Sequence, residues 1–99
     1  MKFAAVIEYI QDKEKIESHR PAHRRYLTSL LQQGRLAISG PFTDGYGALI
    51  VYEADSAQEA EEILKGDPFH AQGIFVRWEV RPWSVVIGND PADAGPRAV

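Results

Sequence analysis

An α+β fold built on one antiparallel sheet is what the chain predicts, and three observations carry the prediction. Four segments are apolar throughout or alternate at the strand period of two. Two segments repeat apolar residues at helical spacing. The chain order is strand, helix, strand, strand, helix, strand, with a hairpin dipeptide joining the middle pair. Ninety-nine residues hold one domain with a single modest core. An internal pocket has little room in such a core, so a pocket between two copies is the alternative.

Lys2 to Ile10 reads as the first strand. Phe3, Ala5, Ile7 and Tyr9 lie on one face, Ala4, Val6 and Ile10 on the other, and a strand apolar on both sides is covered on both. Gln11 to Ser18 is polar, with room for a short helical turn. The first long helix is expected near Arg20, because Pro21 suits a first turn, where its missing N–H costs nothing. His23, Tyr26, Leu27, Leu30 and Leu31 mark its inward stripe. Arg24, Arg25, Gln32 and Gln33 fall on its wet side, and Gly34 is its left-handed cap.

Leu36 to Phe42 is the second strand, Thr43-Asp44-Gly45 the turn, and Gly47 to Glu53 the third strand, antiparallel to the second. Ser56-Ala57-Gln58-Glu59 has capping-box spacing and opens the second helix. Ala57, Ala60, Ile63 and Leu64 form its inner stripe, and Gly66 stops it. Asp67 precedes Pro68 and is pushed out of the helical region, which makes a turn. Gly73 to Trp83 is the fourth strand, with Ile74, Val76, Trp78 and Val80 on one face. Phe75, Arg77, Glu79, Arg81 and Trp83 form the other, a mixture that suits a polar cavity, a subunit interface or an ordinary solvated face. The domain is expected to occupy residues 1–88. Residues 89–99, rich in Asp, Ala, Pro and Gly, read as a flexible C-terminal tail.

The order β-α-β-β-α-β is the ferredoxin-like split pattern. With both helices on one side, the other sheet face is bare, and a second copy is the usual cover for such a face. A homodimer with facing sheets is therefore expected.

Composition narrows the function classes. Hydrophobic residues make up 44% and charged residues 25%, ordinary values for a soluble domain. A net charge of -3 speaks against nucleic acid as the main partner. No run approaches the roughly 18 apolar residues of a membrane span. There are no cysteines, which removes thiolate nucleophiles and Cys-based zinc sites and fits a cytoplasmic protein.

Chemistry concentrates in Arg20-Pro21-Ala22-His23, in Ser39-Gly40-Pro41 and in Asp67-Pro68-Phe69. The first places an imidazole on an inward helix face, the last a carboxylate in a distant turn. Both helices pack on the same sheet face, so the two groups can meet. A helix N-terminus disfavours imidazolium and a carboxylate favours it, a competition that suits a general acid or base. The same pair also serves as a purely structural tie between a helix and a turn. Arg20, one turn before His23, is a candidate for an anionic or phenolate oxygen, or else a solvated side chain. Ser39 can offer its hydroxyl to a substrate, and Gly40 lets a ligand approach closely. Arg77 and Arg81 are weaker candidates. Tyr26, Phe42, Phe69 and Trp83 are candidates for an aromatic wall. His19 and His23 are four apart, but His19 precedes Pro21, and a helix that starts there does not include both. His-Glu-x-x-His, phosphate-loop and dinucleotide signatures are absent, so neither a metal nor a cofactor is expected.

The ordered set Arg20-Pro21-x-His23-x-x-Tyr26-Leu27, Gly34-x-Leu36, Ser39-Gly40-Pro41 and Asp67-Pro68-Phe69 resembles the YciI-like (YCII-related) family, over Lys2 to about Trp83. The resemblance implies a dimeric α+β barrel of ferredoxin-like subunits. It also implies an active site in which His23 and Asp67 are the catalytic groups. One relative of that kind is a dehydrochlorinase acting on a chlorinated hydroxyhydroquinone. The expectation is a cofactor-free enzyme of lyase or isomerase type, acting by acid/base chemistry on a small cyclic or aromatic substrate. Arg20, Ser39 and Gly40 would hold the substrate's polar end. The alternative is a non-catalytic module that binds a small metabolite, or an accessory subunit.

Overall fold

The computed structural model describes residues 1–88, and the tail expected over 89–99 lies outside them. The elements are β1 (Lys2–Tyr9), α1 (Lys13–Gln32), β2 (Leu36–Pro41), β3 (Gly47–Glu53), α2 (Ala57–Lys65), α3 (Pro68–Ala71) and β4 (Phe75–Trp83). The strands form one antiparallel sheet in the order β2-β3-β1-β4. This is the predicted ferredoxin-like α+β arrangement, with β1 and β3 at its centre.

The core lies between the helices and one face of the sheet. Phe3, Ala5, Ile7 and Tyr9 of β1 and Ala48, Ile50 and Tyr52 of β3 supply the sheet side. Ile16, Leu27 and Leu30 of α1, Ala60, Ile63 and Leu64 of α2, and Phe69 of α3 supply the helical side. Leu31, assigned to the inward stripe of α1, instead faces solvent.

The first helix starts well before Arg20. Asp12 is extended, and its side chain accepts a hydrogen bond from the Lys15 N–H at 3.1 Å, which caps the helix in advance of Pro21. Pro21 therefore sits in the helix interior, where its ring nitrogen cannot donate to the Glu17 carbonyl. Two consequences follow for the site. His23 lies mid-helix, so the N-terminal dipole has little hold on it, because that effect fades within the first turn. His19 belongs to the same helix, one turn before His23.

Local chemistry fixes the remaining joints. Gly34 ends α1 with φ +75°, as a left-handed cap requires. In the β2–β3 hairpin Gly45 takes φ +84°, and Asp44 Oδ1 accepts from the Tyr46 N–H at 2.9 Å. Ser56 caps α2 by accepting from the Glu59 N–H at 3.1 Å, while Glu59 reaches back to the Asp55 N–H. Gly66 has ordinary helical dihedrals; its reason is space, since a Cβ there would stand 2.6 Å from the Tyr26 hydroxyl.

The fourth strand begins at Phe75 and departs from strict alternation. Its register with β1 shifts between Glu8 and Tyr9. Phe75 therefore turns to the helical side, opposite Tyr9, with stacked rings 5.9 Å apart. Arg77, Glu79 and Arg81 stay on the open face, paired in register with Glu8, Val6 and Ala4. Across β1, β3 and β2 that face is apolar, with Val6, Leu49 and Ile38 between 38% and 47% exposed.

Candidate active site

His23 and Asp67 meet in the core although 44 positions separate them. The imidazole comes from the inward face of α1. The carboxylate caps the four-residue helix α3, with Asp67 Oδ1 accepting from the Phe69 N–H at 2.9 Å. Pro68 sits in the first turn, where a helix needs no N–H from it. This cap is why the segment after α2 is a helix and not merely a turn. It also fixes the carboxylate, whose two oxygens both lie 2.8 Å from His23 Nδ1.

Burial makes that pair chemically specific. His23 is 5% exposed and Asp67 is fully buried. A buried carboxylate without partners is costly, and Asp67 has the imidazole and an N–H for them. A carboxylate only accepts, so the bond places a proton on Nδ1 and leaves Nε2 as the unshared nitrogen. Aromatic rings hold the imidazole plane. Phe69 stacks on it at 3.9 Å and 3°, and Phe75 meets it edge-on at 6.2 Å.

A cleft of about 160 Å³ opens beside His23, between α1 and the edge strand β2. Arg20, Arg24 and Leu27 line it from α1, and Ser39, Gly40 and Pro41 from β2. Tyr9, Ala48 and Ile50 form its floor on the sheet. A neighbouring cleft of about 440 Å³ shares Tyr9, Arg20 and Pro41 with it and runs on past Ile10, Ile16 and Phe42. At Gly40 no atom lies within 4 Å of where a Cβ would stand, but its register partner Leu49 puts that position on the open sheet face, so Gly40 borders the cleft through its backbone. Arg20 is held by Glu17, whose Oε1 accepts from Nε at 3.1 Å and Nη2 at 2.8 Å.

The charge of Asp67 reaches the surrounding phenols. Burial, then the Asp67 charge, pushes the Tyr9 hydroxyl up to about 12, while Arg20 and Arg24 pull it back. The Tyr26 and Tyr52 hydroxyls are raised by the same two causes in the same order.

All five residues singled out in the sequence for this site are thus gathered: His23 and Asp67 bond directly, and Arg20, Ser39 and Gly40 line the adjoining cleft. Others go elsewhere. Arg77 pairs with Glu8 at 2.6 Å on the open sheet face, and Arg81 with Glu79 at 3.6 Å. Trp83 lines a separate cleft with Met1 and Glu53. Tyr26 donates to the Ile63 carbonyl at 2.7 Å and ties α1 to α2. His70 meets the Trp78 ring edge-on at 5.3 Å. Among the described residues no three His, Asp or Glu side chains gather as a metal site. Sequence reasoning missed Tyr9 and Arg24. Tyr9 read as core, which it also is; Arg24 read as the wet side of the helix, and its place one turn after Arg20 was the available signal.

The ordered motifs agree with a comparison against known families. The YCII-related domain matches residues 1–84. The chain belongs to the YCII-related family. Protein YciI of Escherichia coli is 33% identical over 92 residues, covering 79% of this chain and 94% of its own length. Protein YjpA of Bacillus subtilis is 42% identical over 57 residues, 58% of this chain and 67% of its own. Among solved structures, a similar chain is the 5-chloro-2-hydroxyhydroquinone dehydrochlorinase of Burkholderia phenoliruptrix AC1100, in complex with 2,5-dihydroxybenzoquinone. It aligns with a TM-score of 0.73 at 23% identity, over 85% of this chain and 94% of its own, a likeness of fold. No helix among the described residues is long and apolar enough to cross a membrane.

Proposed function

We propose that this YCII-related protein is an acid/base enzyme of lyase or isomerase type, with His23 as the proton-transferring group and Asp67 as its positioning partner. The observation that carries the reading is the bond from Nδ1 of His23, which lines an open cleft, to a fully buried Asp67 behind it. Nε2 then takes a proton from a small cyclic or aromatic substrate. In an elimination the C–H electron pair becomes the new double bond, and the leaving group departs with its own bonding pair. Asp67 stabilises the imidazolium that results. The structural neighbour, a dehydrochlorinase with a bound hydroxyquinone, supports a substrate of this class. Arg20, Ser39 and Gly40 position the substrate's polar groups.

The working unit is a homodimer in which two open sheet faces meet to close a barrel. Val6 and Leu49, in register across β1 and β3, with Ile38 of β2 beside them, supply the apolar contact.

The test is halide release from chlorinated hydroquinones by wild type, His23→Asn and Asp67→Asn, with folding checked by circular dichroism. Turnover in the wild type, lost in both folded variants, is the expected result. Saturable binding without turnover, unchanged in His23→Asn, would instead mark a binding module.

A further inference from the structure

We propose that Arg20 and Arg24 form a two-guanidinium clamp that makes the His23 cleft a site for small organic anions, of carboxylate or phenolate type. The inference deepens the acid/base reading and rests on it for the chemistry, though not for the binding. Arg20 and Arg24 are one helical turn apart, on either side of His23 in sequence, and both line the cleft. No carboxylate lines it. Arg24 has no side-chain hydrogen bond or ion pair among the described residues, so its donors remain for a ligand. Arg20 spends Nε and Nη2 on one oxygen of Glu17. Glu17 is largely exposed, so water screens it and the pair holds Arg20 only weakly. The hold still orients the guanidinium at the junction of the two clefts.

The remaining charge is Asp67, which stands behind the imidazole. Arg20 and Arg24 formally balance Glu17 and Asp67 when His23 is neutral, but Glu17 is exposed and screened by water, so the guanidiniums dominate inside the cleft, and more so when His23 is protonated. Both guanidiniums also act on the Tyr9 hydroxyl in the cleft floor, which places their field inside the site. Charge that develops on a substrate oxygen as Nε2 removes a proton is stabilised by such donors. A neutral ligand of the same shape gains nothing from them.

Benzoate and benzamide, nearly equal in shape and differing in charge, are the probes. Amide shifts of labelled protein are followed in titrations of wild type, Arg24→Gln and Arg20→Gln. Saturable binding of benzoate, with shifts at α1 and at Ser39 and Gly40, is expected. Each variant is expected to weaken benzoate about tenfold, the equivalent of one charged hydrogen bond, and to leave benzamide unchanged. Equal affinities for the two probes, unaltered benzoate binding in Arg24→Gln, or no saturable shift with benzoate would each overturn the clamp. The two readings fail separately. Benzoate binding that depends on the arginines, in a protein whose turnover survives Asp67→Asn, would leave the clamp standing and remove the acid/base proposal.

Discussion

Asp67 concentrates more consequence in one side chain than any other residue described. It caps α3, accepts from His23 and is fully buried. Asp67→Ala removes both bonds and leaves an imidazole facing an apolar hole, so a loss of about 3–5 kcal/mol is expected in denaturant titration. Tyr52 presents the opposite case. Its hydroxyl is buried with no hydrogen-bond partner among the described residues. An unmet donor costs desolvation without return, so Tyr52→Phe is expected to leave stability unchanged or raise it by about 1 kcal/mol. The tyrosines also set an alkaline limit. Tyr9 ionises near 12 in the folded protein against 10.0 ordinarily, and Tyr26 and Tyr52 are raised as well. Between these values the unfolded chain has released protons that the folded chain keeps. Stability is therefore complete below pH 10 and falls as pH rises toward 12. Tyrosinate absorbance should lag behind that of a denatured sample until unfolding begins.

At the scale of elements, the positions of Pro21 and Gly47 invite direct tests. Pro21 lies inside α1 on its exposed side and leaves one carbonyl without a helical donor. Pro21→Ala restores that bond and is expected to raise the melting temperature, by the equivalent of about 1–2 kcal/mol once the looser unfolded chain is counted. Gly47 pairs with Glu8 where β3 meets β1, and a Cβ there would run into the Ile7 carbonyl. Gly47→Ala should part the strands at the end nearest the clefts and lower stability sharply, visible as fast amide exchange at Ile7 and Glu8. Most elements were legible because their patterns are local: the Ser56 cap, the Asp44-Gly45 turn, the Gly34 stop. Pro21 misled because a proline marks a helix start more often than an interior, while the true signal, Asp12 as a cap, was a single polar residue in a polar stretch. The shift at Glu8/Tyr9 was invisible for a related reason: a bulge is decided between two strands, and neither sequence alone records it.

For the whole molecule, the open sheet face is the decisive surface. Leu49→Glu or Val6→Glu places charge in the apolar half of that face, and a shift from dimer to monomer is expected in sedimentation, with the fold retained. A wild type that sediments as a monomer would remove the barrel proposal. The site was legible at this scale because topology, not spacing, joins His23 to Asp67: both helices must lie on one side of the sheet. The second guanidinium at Arg24 and the Phe69 stack were not, since each depends on where a side chain ends once α1 is seated.

The tautomer of His23, read from imidazole nitrogen shifts in wild type and Asp67→Asn, tests the pairing of base and carboxylate most directly. Three histidines make assignment direct. In the wild type the neutral ring should carry its proton on Nδ1, with Nε2 bare, and the variant should lose that preference. A wild-type ring protonated on Nε2 would mean that Asp67 does not orient the base, and the acid/base proposal would fall.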